Sequence, residues 1–202
     1  MPLPLAHTIV GYSVAAATGV RFRRERRTAI LFSLFVANMP DVDFLPGALR
    51  DQPSLYHRTI AHTIPAGIVC ALITTLVITR FRGRFREMFL LGLLVYCSHL
   101  VADMVNFSGG NPGVQILWPL STDWFSIPTP FAHQANSPLN FDRGVGSISF
   151  FESFRGLGFF RALLLQALLF APLLPLAWWI RSKVTTRRSA ATAERRAGTT
   201  AA

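Results

Sequence analysis

A histidine and an aspartate four residues apart lie inside an apolar run, where HLVAD occupies 99–103 of the run Met88–Phe107. Residues four apart share one face of a helix. An aspartate near the centre of a membrane helix costs roughly 2.5–3.5 kcal/mol, so it needs a partner that offsets this cost. A cation bound by His99 and Asp103 is the first partner to consider, and the run therefore predicts a helix that carries a metal site.

The composition is typical of a membrane protein, with 51% hydrophobic and only 15% charged residues. The runs Thr59–Thr79, Met88–Phe107 and Leu157–Ile180 each reach the ~20 residues that a bilayer crossing needs. Leu3–Val20 is a fourth apolar run, and Thr28–Met39 is too short to cross fully. We predict an all-α, polytopic membrane bundle of four to five membrane helices, one of them short.

The arginines fall in three clusters that follow or separate the apolar runs, at Arg21–Arg27, Arg80–Arg86 and Arg181–Arg196. Such clusters mark cytoplasmic loops, which leaves Pro40–Arg58 and Ser108–Gly156 on the extracytoplasmic side. The net charge of +10 thus favours contact with anionic membrane lipids. No nucleic-acid partner is expected, because no aromatic platform or recognition motif accompanies the charge.

These patterns predict a membrane-embedded domain over 1–180, with an extracytoplasmic loop region at 108–156, and a disordered basic cytoplasmic tail at 181–202. No Lys or Arg precedes Leu3, so a cleaved signal peptide is not expected. Cys70 and Cys97 lie within apolar runs and are interpreted as small hydrophobic residues rather than as a disulfide.

On this topology the histidines and several aspartates fall at one depth near the outer side of the membrane. Measured from Glu87, His99 lies about 18 Å and Asp103 about 24 Å along the helix axis. Imidazole and carboxylate groups bind Zn, Mn or Fe, and a zinc site that keeps one position open activates water for hydrolysis. We therefore predict a divalent transition metal, with zinc favoured, bound by His7, Asp41, Asp43, His57, His62, His99 and Asp103.

The spacing leaves the individual roles open. Asp41 and Asp43 are either turn formers after Pro40 or a pair in which one binds metal and the other acts as a base or orients a ligand histidine from behind. His57 and His62 would point about 140° apart on one helix, so both reach one ion only if His57 precedes the helix or the helix bends. A dinuclear site also fits.

Three further residues each allow two interpretations. Arg58 either holds an anionic group or is an arginine whose head reaches the membrane interface, which is the more common case. Trp118 and Trp124 are expected to anchor the outer loop at the interface rather than to contact substrate.

Five segments resemble the YdjM family of inner-membrane proteins, which are regarded as bacterial metal-dependent hydrolases. They are AHTIVG at 6–11, MPDVD at 39–43, HRTIAHT at 57–63, SHLVAD at 98–103 and ILWPLS at 116–121. The resemblance covers roughly residues 3–180. It implies a multi-pass protein of the bacterial inner membrane.

A more distant similarity is to zinc-dependent phospholipase C and P1 nuclease, in which a helix carries HxxxD. That similarity implies His7, one of Asp41 and Asp43, His62, His99 and Asp103 as metal ligands. Those enzymes have a further HxxxE helix, whereas Glu152 here is preceded by Ile148 and Ser149. A full trinuclear site is therefore not expected.

Together these observations predict a membrane-bound metal-dependent hydrolase that acts through a metal-activated water. Its expected substrate is a phosphoester or another ester of a lipid-associated molecule. The alternatives are a metal or proton transport protein and a non-catalytic membrane scaffold. Transport needs polar groups that continue toward the inner face, where the helix below His99 offers Tyr96, Cys97 and Ser98.

Overall fold

The structure, a computed structural model, describes residues 4–18, 25–50, 56–79, 84–105, 113–127 and 157–200. The described chain is helical, which confirms the all-α class, and its single pairing of extended residues is an isolated bridge between Val114 and Phe125. The elements are α1 (Pro4–Ala17), α2 (Glu25–Asn38), a 3-10 turn (Pro40–Asp43), α3 (Phe44–Ala48), α4 (Ile64–Thr79), α5 (Phe85–Val105), α6 (Leu157–Phe170) and α7 (Leu173–Thr200).

Helix α5 lies at the centre of the bundle, where it packs against α1, α2 and α4. Its buried face includes Met88, Leu91 and Val95, which recur at helical spacing. The same face continues to His99 and Asp103 near the end of the helix. The apolar core therefore lies along the first part of α5, and the polar cluster lies at its C-terminal end.

Two glycines let the helices around α5 approach closely. A Cβ at Gly11 of α1 would come within 2.7 Å of the Ala37 side chain in α2. A Cβ at Gly67 of α4 would come equally close, 2.7 Å, to the Tyr96 ring of α5. Gly11 lies four residues after His7, on the same face of α1, so this close contact also brings His7 toward the other helices.

The structure describes fewer membrane-length helices than the four to five that we predicted. Within the described residues, two helical segments are long and apolar enough to cross a bilayer. One is α5, and the other, Phe159–Thr186, comprises most of α6, the turn at 171–172 and the first part of α7. The run Thr59–Thr79 yields only the 16-residue α4, because its first residues form the turn that carries His62. The run Leu3–Val20 yields the 14-residue α1, and α2 also has 14 residues.

The basic C-terminal segment differs from the expected disorder, because α7 continues as a helix to Thr200. Its abundant alanine and arginine are good helix formers, so the segment can extend the apolar helix before it. Of the predicted outer loop 108–156, the structure describes 113–127, and the remaining residues lie outside the described part. The Ile64 amide donates to the Ile116 carbonyl, and the Ile127 amide to that of Met104. This segment is therefore attached beside the start of α4 and the end of α5.

Candidate metal centre

Five ionisable side chains from four separate elements meet at the C-terminal end of α5. Each is at most 5% exposed. The set comprises His7 from α1, Asp41 from the 3-10 turn, His62 from the turn before α4, and His99 and Asp103 from α5. The structure thus brings together residues that are far apart in the sequence.

The distances between these groups match the spacing of ligands around one ion. The Nε2 atom of His62 lies 3.2 Å from Oδ2 of Asp103 and 3.6 Å from Oδ1 of Asp41. The Nε2 atom of His99 lies 3.5 Å from the same Asp41 oxygen and 3.2 Å from Nε2 of His62. Ligands about 2.0–2.1 Å from a tetrahedral zinc lie about 3.3 Å from one another. The four side chains are therefore separated as a coordination shell requires.

His7 lies on the other side of the two aspartates. Its Nε2 atom is 3.6 Å from Oδ1 of Asp103 and 3.9 Å from Oδ2 of Asp41. Its ring stacks on that of His99, with the centroids 3.6 Å apart. His7 thus reaches the carboxylate oxygens that point away from His62.

Hydrogen bonds at the Nδ1 atoms set the orientation of three imidazole rings. The Nδ1 atom of His99 lies 2.6 Å from the Ala37 carbonyl, and a carbonyl only accepts, so this nitrogen carries the proton. The Nδ1 atoms of His57 and His62 lie 2.9 Å and 2.8 Å from the two oxygens of Asp43. In the neutral rings the Nε2 lone pairs are then free to bind a cation, which is the usual arrangement behind histidine ligands.

Several buried polar atoms of the cluster have no hydrogen-bond partner among the described residues. They are both oxygens of Asp41 and of Asp103, both ring nitrogens of His7, and Nε2 of His57. A buried carboxylate without a partner costs several kcal/mol, and a bound cation removes that cost. The donor set of imidazole nitrogens and carboxylate oxygens fits a divalent transition metal.

These side chains form two overlapping groups of metal-ligand type, each with ligand atoms within 4.8 Å of one another. One group consists of His7, Asp41, His99 and Asp103, and the other of Asp41, His57, His62 and Asp103. Because both groups contain the same two aspartates, these residues would fit either one ion or two.

The electrostatics of the loop residues follow from these contacts. Burial alone would raise the pKa of Asp43, but hydrogen bonds from His57 and His62 lower it below its ordinary value. Burial also opposes ionisation of Asp41, yet the nearby His99, His62 and His7 rings lower its pKa. The carboxylates raise the pKa of His62 well above its ordinary value, against the opposite effect of burial. All three pKa shifts have one origin: carboxylates and imidazole rings lie close together, which favours the charged form of each.

The 3-10 turn places Asp41 and Asp43 differently in the cluster. Asp41 lies among the Nε2 atoms, whereas Asp43 lies behind His57 and His62 at their Nδ1 atoms. His57 and His62 both precede α4, which removes the helical angle that would have kept them apart. That these seven residues bind metal stays a prediction.

Arg58 is a further residue of the site. The interpretation that its head reaches the membrane interface is wrong. The residue is 1% exposed, and its Nε atom lies 3.5 Å from Oδ2 of Asp103. Its position between His57 and His62 is the sequence feature that could have identified Arg58 as a site residue. Its burial, however, depends on a turn that the sequence does not reveal.

Two residues that the sequence reasoning did not single out hold this turn in place. The Thr63 hydroxyl accepts a hydrogen bond from the Ala66 amide at 3.2 Å and so caps the start of α4. The Tyr96 hydroxyl of α5 donates to the Ala61 carbonyl. Together they fix the backbone on both sides of His62.

A family model described as YdjM inner membrane protein matches residues 1–178 of the chain. No curated protein and no solved structure matches it. The motif-based similarity to zinc-dependent phospholipase C and P1 nuclease therefore finds no support in these comparisons.

Proposed function

The chain belongs to the YdjM family of inner membrane proteins, and from this membership and its buried His and Asp groups we propose that it is a membrane-bound metal-dependent hydrolase. Family membership and two long apolar helices support a location in the inner membrane. The proposed substrate is a phosphoester or another ester of a lipid-associated molecule.

One observation carries the proposal: among the described residues, the buried carboxylate oxygens of Asp41 and Asp103 and the ring nitrogens of His7 face one another without hydrogen bonds. Both oxygens of Asp41 and of Asp103 are in this state. A divalent transition metal, which we propose to be zinc, supplies Lewis-acid activation of water and of the ester when bound. Asp41 and Asp103 would hold it together with neighbouring histidines of the cluster.

The overlap of the two ligand groups favours two ions over one. Asp41 and Asp103 belong to both groups, and each group adds two histidines of its own. In such a pair, Asp41 and Asp103 would belong to both ligand sets, with His7 and His99 completing one set and His57 and His62 the other.

We propose that the site faces the extracytoplasmic side of a multi-pass protein. Arg84 and Arg86 lie at the start of α5, and His99 and Asp103 lie near its end. Basic residues mark the cytoplasmic end of a membrane helix. The cluster then lies at the depth of the outer leaflet.

A transport function is less well supported by the surroundings of the cluster. Below His99, the buried face of α5 includes Val95, Leu91 and Met88, which belong to the apolar core. The nearby hydroxyls already donate to backbone carbonyls, Ser98 to that of Val95 and Tyr96 to that of Ala61. A proton or metal pathway along α5 would need polar groups at these positions.

A non-catalytic scaffold would use the same side chains to bond one another. In that case the aspartate oxygens should accept hydrogen bonds from the histidines, as Asp43 does from His57 and His62. Asp41 and Asp103 do not have such bonds among the described residues. The contrast between Asp43 and these two aspartates favours a cation.

The central test is elemental analysis of detergent-purified protein after expression in metal-replete medium. Wild type should retain a divalent transition metal, and His99→Ala should lose it together with phosphodiesterase or esterase activity on lipid substrates. The matched control is Ser98→Ala on the same helix, whose hydroxyl bonds only to Val95 among the described contacts. Metal-free wild type, or full activity in His99→Ala, would overturn the proposal.

The number of ions can be tested separately with His57→Ala. His57 belongs to only one of the two groups. This variant should therefore retain one ion where wild type retains two. A wild-type stoichiometry of one ion per chain would contradict the dinuclear proposal and leave the hydrolase proposal standing.

A further inference from the structure

The backbone at Arg58 adopts a conformation that a non-glycine residue rarely takes, with φ of 65°. Residues held in this region cluster at ligand-binding and catalytic sites, because the surrounding structure must offset the strain. The consequence here is that consecutive side chains reach different aspartates. His57 contacts Asp43, and Arg58 contacts Asp103.

The guanidinium of Arg58 has donors that no described residue uses. The side chain is 1% exposed, and only its Nε atom comes near a carboxylate, at 3.5 Å from Oδ2 of Asp103. Nε, Nη1 and Nη2 all lack a hydrogen-bond partner among the described residues. A guanidinium offers five N–H donors in a rigid planar fork, so most of its bonding capacity is left for a ligand.

A metal at the site would leave the charge of Arg58 less well compensated. Asp103 would then share its charge with the ion, which leaves Arg58 as a buried cation beside another cation. Asp41, Asp43 and Asp103 supply three negative charges, which Arg58 and one divalent ion balance. With a second divalent ion the centre is positive, and a bound anion restores the balance.

We propose that Arg58 binds a phosphoryl oxyanion at the metal centre, so that the substrate of the hydrolase is a phosphate ester rather than a carboxylic ester. Planar guanidinium forks pair with phosphate oxygens through charge-assisted hydrogen bonds. A carboxylic ester is neutral and would leave the guanidinium without a counter-charge. The inference rests on the proposed metal-dependent hydrolase function, and the phosphate belongs either to a lipid headgroup or to a soluble phosphate ester.

The test is calorimetric titration of inorganic phosphate into zinc-loaded, detergent-purified protein. Arg58→Gln should bind phosphate at least tenfold more weakly than wild type while retaining its metal. The matched control is Arg50→Gln, because the exposed Arg50 bonds to Tyr56 and lies outside the cluster. Competition by phosphatidic acid in mixed micelles, but not by glycerol 3-phosphate, identifies the headgroup as the source, and the reverse result identifies a soluble ester.

Equal phosphate affinity in metal-loaded wild type and Arg58→Gln would overturn this inference alone. Wild type that retains no metal would overturn the hydrolase proposal and this inference with it. If Arg58→Gln does not fold, Arg58→Lys decides, because lysine keeps the charge without the fork. Arg58→Lys should bind phosphate more weakly than wild type, and unchanged affinity would count against the inference.

Discussion

Helix α5 and the helix Phe159–Thr186 meet the same criteria of length and hydropathy, yet they occupy different environments. Half of the apolar window of α5 is buried inside the protein, against 11% of that of Phe159–Thr186. α5 turns His99 and Asp103 toward the interior. The second helix presents large apolar side chains on its outside, among them Leu164, Leu168 and Trp179.

The difference shows that two helices of similar hydropathy can lie in different environments, one inside the protein and the other at its surface. α5 contacts α1, α2 and α4, which together supply the partners that make buried ionisable groups tolerable. α6 and α7 pack mainly against α1 and leave an apolar surface suited to lipid. Substitutions in the two helices should therefore have different consequences.

The largest effect is expected from Asp103→Asn in α5. The substitution removes a charge that contacts both His7 and His62, so bound metal should be lost. The metal-to-protein ratio after gel filtration in detergent measures this loss. Leu168→Ala on the outer helix is the control and should retain full metal, and an unchanged ratio in Asp103→Asn would exclude Asp103 as a ligand.

Leu168→Arg tests whether the helix Phe159–Thr186 contacts lipid. Leu168 is 61% exposed, and an arginine near the centre of a membrane helix costs roughly 2.5–3.5 kcal/mol. The fraction of protein that resists carbonate extraction from membranes should therefore fall. Leu49→Arg, at an exposed position outside both long helices, is the matched control. Equal membrane retention in the two variants would argue against lipid contact at Leu168.

Asp43→Asn should weaken metal binding without removing it. Asp43 accepts hydrogen bonds from His57 and His62 and does not face the ion itself. Loss of such supporting carboxylates typically lowers metal affinity about 10–100-fold. Competition with a chelating dye measures the change, and Asp123→Asn at an exposed site is the control. A complete loss of metal would instead make Asp43 a ligand.

The smallest effect is expected from pH. In the metal-free protein the surrounding carboxylates raise the pKa of His62 against the effect of burial, so the ring holds its proton to a higher pH than a free imidazole does. The protonated ring stabilises the metal-free fold below its ordinary pKa, and this stabilisation disappears as pH rises through the raised value. Metal must displace this proton, so affinity should increase with pH by up to about tenfold per unit. Chelator competition in buffers of increasing pH tests this, and a flat profile would contradict it.

Much of the site was visible in the sequence because its residues lie in or beside apolar runs, where ionisable groups are costly. His99 and Asp103 lie one helical turn apart, which predicts a shared face, and the structure places both on the buried face of α5. The contact between His57 and Asp43 was harder to predict, because it depends on turns whose geometry the sequence leaves open. The burial of Arg58 was missed for the same reason.

The helix lengths were less predictable than the helix positions. The apolar run Thr59–Thr79 suggests a full crossing, but hydropathy does not register that Thr63 caps the helix and that the residues before it form a turn. Composition likewise suggested disorder after Arg181, whereas α7 extends to Thr200. Local hydrogen bonds and helix propensity decided these ends.

The sequence by itself determined that this is a helical membrane protein with histidines and aspartates in costly positions, because apolar length and charge placement are local properties. Only the tertiary structure decided which of them meet. The Nε2 atoms of His62 and His99 lie 3.2 Å apart where Gly67 lets α4 pack closely against Tyr96 of α5. That convergence depends on contacts between distant segments, which no local pattern contains.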